Sequence, residues 1–99
     1  MLNIDSKKEG AAMSVTLDGR LDTITAPELE KTLNASLDGV SALTIDFEKL
    51  TYISSAGLRV LLAAQKRMSS QGAMKVVHVS DVVMEIFDVT GFSGILTIE

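Results

Sequence analysis

Three leucines at fourfold spacing, Leu29, Leu33 and Leu37, stand between two stretches in which apolar and polar residues alternate, Met13 to Leu17 and Leu43 to Phe47. Fourfold spacing lines one face of a helix, whereas alternation lines one face of a strand. A strand, a helix and a strand in that order are most simply joined as a parallel pair, because parallel neighbours need a long crossover connection. The same switch of period recurs downstream. A second helix is predicted from Ser55 to about Ser70, with Gly57, Val60, Leu61, Ala64 and Met68 on one face and Arg59, Lys66 and Arg67 toward water. Gln71-Gly72 stops it, and Met74 to Val79 is a β-rich run of strand length. Ser80-Asp81 then caps a third helix carrying Val82, Val83, Ile86, Phe87 and Val89, which Thr90-Gly91 closes.

At the N-terminus Leu2, Ile4 and Ser6 alternate with Asn3, Asp5 and Lys7, and after Glu9-Gly10 the alternation resumes, which predicts a hairpin. Thr25-Ala26-Pro27-Glu28 opens the first helix with a capping hydroxyl, a first-turn proline and a glutamate placed to reach back; Asp38-Gly39 ends it. Leu43–Phe47 reads as a short strand, Leu50 to Ile53 lead into the second helix, and Ile95 to Ile98 read as a short last strand. The expected fold class is therefore α/β: a mixed β-sheet with helices mainly covering one face, in one domain spanning residues 1–99. A chain of 99 residues can bury one core but not two.

Several function classes are excluded by composition. The longest apolar run is the five residues Val60–Ala64, far below the roughly 20 of a spanning helix, so no membrane insertion is expected. The first residues lack the pattern of a secretory leader, which predicts a cytoplasmic protein. Thirteen acidic against nine basic residues give a net charge of −4 without a basic cluster, and three Phe with one Tyr leave little to stack bases on, so nucleic acid is a poor direct partner. There is no cysteine, hence no thiolate chemistry. The lone His78 rules out a histidine-rich metal site and reads as a strand end rather than a base. No Gly-x-Ser-x-Gly elbow surrounds Ser55, Asp46-Phe47-Glu48 and Asp81 lack calcium-loop spacing, and no P-loop occurs, so neither an enzyme nor a cofactor is expected.

The segment Tyr52-Ile53-Ser54-Ser55-Ala56-Gly57-Leu58 interrupts apolar sequence with two serines and a glycine. Ser55 stands where a strand-to-helix turn would place an N-cap, and that purely structural role is the favoured reading of the local pattern. The alternative is an accessible hydroxyl, left sterically open by Gly57 and set at a helix N-terminus whose free N–H groups tolerate a phosphate.

The segment Ile53–Leu58 resembles the phosphorylation motif of bacterial anti-sigma factor antagonists, which are single-domain STAS proteins. Leu17–Pro27 looks like the same family's Gly-x-Leu-Asp turn and first helix start, and Thr90-Gly91-Phe92 resembles its last-helix ending, so the likeness runs along nearly the whole chain. It implies phosphate acceptance at Ser55, with Ser54 the lesser candidate. The family's usual aspartate falls on Ser54, which removes one negative charge beside the acceptor. Partner contacts are implied at Asp22, Thr23, Ser54, Ser55, Gly57 and Arg59. Asp22 reads equally as a turn-forming carboxylate, and the role of Arg20 stays open. The implied partners are an anti-sigma factor serine kinase, bound by the unphosphorylated form and released by phosphorylation, and a PP2C-type phosphatase that resets the switch. Sigma-factor-dependent transcription would follow the switch. A different reading keeps the fold without the switch: a STAS structural or regulatory subunit of a transporter or lipid-trafficking complex.

Overall fold

A computed structural model describes residues 2–99. Its sheet has four strands in the order β1-β2-β3-β4: β1 is Leu2–Glu9, β2 Ala12–Leu21, β3 Ala42–Ile53 and β4 Ala73–Val77. β1 and β2 form the expected antiparallel hairpin, with Leu2 opposite Gly19 and Glu9 opposite Ala12. Gly10 takes φ +59° in the turn, a conformation that costs glycine nothing. β2 and β3 are parallel, as are β3 and β4. They are connected by helix α1 (Ala26–Ser36) and helix α2 (Ser55–Ser69). Because β2, β3 and β4 advance in one direction across the sheet, right-handed crossovers place both helices on the same face.

Burial follows that topology. Met13, Val15 and Leu17 of β2, Leu43, Ile45 and Phe47 of β3, and Met74 and Val76 of β4 are buried, while the alternate residues Ser14, Thr16, Thr44, Asp46 and Lys75 meet solvent at least in part. Leu29 and Leu33 of α1 and Leu61, Ala64 and Met68 of α2 close the core from the helical side. Helix α3 (Asp81–Thr90) adds Val83 and Phe87, the latter with its ring centroid 6.0 Å from that of Phe47. Val82 and Val89, grouped with them by helical periodicity, remain exposed.

Three segments differ from the sequence reading. Leu43–Phe47 and Leu50–Ile53 belong to one strand, β3, of 12 residues. Its register against β2 slips between Thr16 and Asp18 and again between Gly19 and Arg20, each slip adding one residue to β3. Such bulges break the period of two, so Phe47 and Leu50 both point inward although three positions apart. The tail forms a short 3₁₀ turn at Phe92–Gly94, and only Ile98 bridges the sheet, beside Val76. Met74–Val79 also ends early: β4 stops at Val77, and His78 turns the chain with φ +57°.

Candidate functional site

The two motifs meet at the carboxyl ends of β2 and β3. In the parallel register Arg20 pairs with Tyr52 and Leu21 with Ile53, so the following residues, Asp22 and Ser54, leave the sheet side by side. Leu21 O accepts the Ser54 N–H at 2.8 Å, which fixes the start of α2 against the loop that leads to α1.

That loop is organised by Asp22. Its Oδ1 accepts the N–H groups of Ile24 and Thr25, both at 3.0 Å. The Thr25 hydroxyl lies 2.8 Å from Arg20 O and 3.1 Å from the same carboxylate oxygen, and it accepts the Asp22 N–H at 2.8 Å. Thr25 is thereby buried and faces back into the loop. It holds the N-cap position of α1 without bonding a helix amide, contrary to the expected capping box. The Thr25 N–H, foremost among these donors, holds the Asp22 carboxyl below its ordinary pKa, because hydrogen bonds to the charged form favour that form. Arg20 stacks 4.4 Å above the Tyr52 ring centroid and lies 3.9 Å from Asp22 Oδ2, which places it in a small polar cluster on the strand ends.

The serine pair divides its work differently from the sequence reading. Ser54, not Ser55, is the N-cap of α2: its backbone is extended and its Oγ accepts the Gly57 N–H at 3.4 Å. The cap moves back one residue because the sheet register and the Leu21–Ser54 bond set where the chain leaves β3. Ser55 is the first residue of the helix and is exposed, and its hydroxyl bonds nothing among the described residues. The amides of Ser55 and Ala56 likewise have no protein acceptor there, as expected in a first turn. Unlike α1, with Glu28, and α3, with Asp81, helix α2 has no acidic residue in its first turn.

Gly57 also corrects an expectation. It is buried rather than open to a partner: a Cβ there would lie 2.7 Å from Leu21 Cγ and 2.9 Å from Ile53 Cγ1. The residue lets α2 approach the chain's own strands, and so determines where Ser55 sits.

The sequence model of the family described as "Mlab, STAS domain" matches residues 4–97. The chain belongs to the STAS domain family. An anti-sigma-B factor antagonist of Bacillus subtilis is 29% identical over 98 residues, covering 98% of this chain and 90% of that protein. Among solved structures, an anti-sigma factor antagonist from Mycobacterium paratuberculosis superposes with a TM-score of 0.89 at 23% identity, covering 99% of this chain and 85% of that one. SpoIIAA, a Bacillus cell fate determinant, superposes in its phosphorylated form with a TM-score of 0.77 at 15% identity, covering 98% and 91%.

Around the serine pair, the STAS domain exposes three further side chains. Thr23 lies on the loop surface, and Arg59 projects from α2 without an ion pair among the described residues. Ile24 went unnoticed in the sequence, yet it is 84% exposed at the tip of the loop that Asp22 holds. Its only sequence signal is negative: an apolar residue between a strand and a helix that belongs to neither pattern. Elsewhere on the STAS domain, His78 Nδ1 lies 3.1 Å from Asp46 Oδ1 and 3.7 Å from Glu48 Oε2, a grouping that sequence spacing did not suggest. Asp46 Oδ1 also accepts the Glu48 N–H at 2.9 Å. Among the described residues, no helix is long and apolar enough to cross a membrane.

Proposed function

We propose that this STAS domain is an anti-sigma factor antagonist. It binds an anti-sigma serine kinase while Ser55 is unmodified and leaves it when Ser55 is phosphorylated, and a PP2C-type phosphatase restores the binding form. The observation that carries the reading is the division of labour between the serines: with Ser54 capping α2, the Ser55 hydroxyl is exposed and bonds nothing among the described residues. A phosphate there would meet the partial positive charge and free amides of a helix start that has no carboxylate of its own. The fold can therefore keep the modification. The partner cannot ignore it, because about −1.5 to −2 of new charge appears on a surface that had offered a neutral hydroxyl. Two comparisons support the role: the B. subtilis relative carries the antagonist name, and SpoIIAA has been solved both without and with phosphate on the same fold.

The rigid neighbourhood fits a partner interface. Asp22 fixes the loop beside Ser55 and holds Ile24 outward before any partner arrives, which lowers the ordering cost of binding. The test is to incubate the protein with ATP and the anti-sigma kinase of its own cell, then map the phosphate by mass spectrometry in wild type, Ser54→Ala and Ser55→Ala. Phosphate on Ser55 in wild type and Ser54→Ala, and none in Ser55→Ala, is the expected result. Phosphate on Ser54 in Ser55→Ala would overturn the choice of acceptor. No phosphate on any of the three would favour a STAS subunit that works without a switch.

A further inference from the structure

Helix α3 is apolar on two sides. Val83 and Phe87 enter the core, while Val82 and Val89 are 60% and 81% exposed, and half-buried Ile86 lies between them. Positions 82, 86 and 89 follow helical spacing, so the three form one outward stripe about 10 Å long. Together with Glu85 and Thr90 they line a shallow groove on the surface. The outer faces of the other helices differ: α1 presents Glu28, Glu30 and Lys31, and α2 presents Arg59 and Lys66. An apolar outer stripe is thus a property of α3 and not of the helical layer as a whole.

The charge on helix α3 itself has one sign. Asp81, Glu85 and Asp88 are exposed, and α3 contains no Lys or Arg. A second copy packed α3 to α3 would bring three carboxylates against three, and an anionic lipid surface would be repelled as well. We propose that this face docks an amphipathic helix of a partner protein, with apolar residues at i, i+4 and i+7 and flanking lysines or arginines. Ridges of that helix would fill the groove between Val82, Ile86 and Val89, and its cations would face Glu85 and Asp88. This surface rests on α3 alone and does not depend on phosphorylation of Ser55.

The test is an NMR titration of the ¹⁵N-labelled full chain with an 18-residue Leu/Lys amphipathic peptide, a Leu/Glu peptide of the same pattern, and vesicles of phosphatidylcholine or phosphatidylglycerol. Sedimentation of the free protein is run in parallel. The expected result is a set of shifts confined to residues 82–90 with the Leu/Lys peptide alone, at least tenfold weaker in Val82→Ser/Val89→Ser and in Glu85→Lys/Asp88→Lys. Both variants alter exposed side chains, and their ¹⁵N spectra report independently that they fold. Shifts centred elsewhere, equal binding of the Leu/Glu peptide, or undiminished binding by either folded variant would overturn the proposal. So would vesicle binding through α3, or self-association abolished by Val82→Ser/Val89→Ser.

Discussion

Replacing each serine of the pair separately should separate a structural hydroxyl from a free one. In Ser54→Ala the Gly57 N–H loses its side-chain acceptor, while the backbone bond from Ser54 N–H to Leu21 O survives because it does not involve the side chain. Loss of an N-cap costs about 1 kcal/mol within a range of roughly 0.5–2, and the 3.4 Å length of this bond argues for the middle of that range or below. For a domain of this size, about 1 kcal/mol lowers Tm by roughly 4–8 °C. Ser55→Ala removes no hydrogen bond and puts a better helix former at the first helical position, so its stability should stay within about 0.5 kcal/mol of wild type, on the favourable side. The assay is urea unfolding followed by circular dichroism, with thermal melts as a second probe, provided m is unchanged across the three proteins. A Ser55→Ala loss as large as that of Ser54→Ala would refute the assignment of the cap. It would mean that the Ser55 hydroxyl is held by the fold and is not free for chemistry.

Other perturbations test neighbouring parts of the account. Gly57→Ala places a Cβ against Leu21 and Ile53; overpacking of about 1–3 kcal/mol against a helix-propensity gain of about 1 kcal/mol should leave a net loss of roughly 1 kcal/mol in urea unfolding. Asp22 has a lowered pKa in the folded protein, so its bonds add stability above the unfolded value of 3.8, and this contribution is lost as pH falls through the lower folded value. The stability difference between wild type and Asp22→Asn should therefore be constant above about pH 5 and shrink in acid, as unfolding curves at successive pH values would measure. Ile24→Ser should leave stability within about 0.5 kcal/mol of wild type and weaken kinase binding at least about tenfold by calorimetry, since an exposed, pre-held apolar side chain has the makings of an interface anchor.

Much of the fold was legible because its cues are local. Leu29, Leu33 and Leu37 repeat at helical spacing, Met13, Val15 and Leu17 alternate, and Gly39, Gly72 and Gly91 mark the ends of helical segments. What escaped depends on contacts between distant residues. The bulges in β3 arise from its register with β2 and leave in the sequence only a broken alternation around Glu48 and Lys49. The choice between Ser54 and Ser55 as cap has the same origin. Both are good capping residues, and a bond to Leu21, far away in sequence, decides between them. Thr25 looked like a cap because threonine caps helices, but Arg20 O and Asp22 compete for its hydroxyl and prevail. Exposed apolar residues such as Ile24, Val82 and Val89 were invisible for a simpler reason: periodicity marks a residue as apolar and presumes that it is buried.

We propose that charge on Ser55 controls partner binding while the fold stays intact. This is tested most directly by measuring the affinity of the anti-sigma kinase for this protein in three states by calorimetry: unmodified, stoichiometrically phosphorylated at Ser55, and phosphorylated then treated with a PP2C-type phosphatase. Tight binding, at least tenfold weaker binding and full recovery are the expected results in that order, with one unchanged circular dichroism spectrum throughout. Equal affinity in all three states would contradict the proposal.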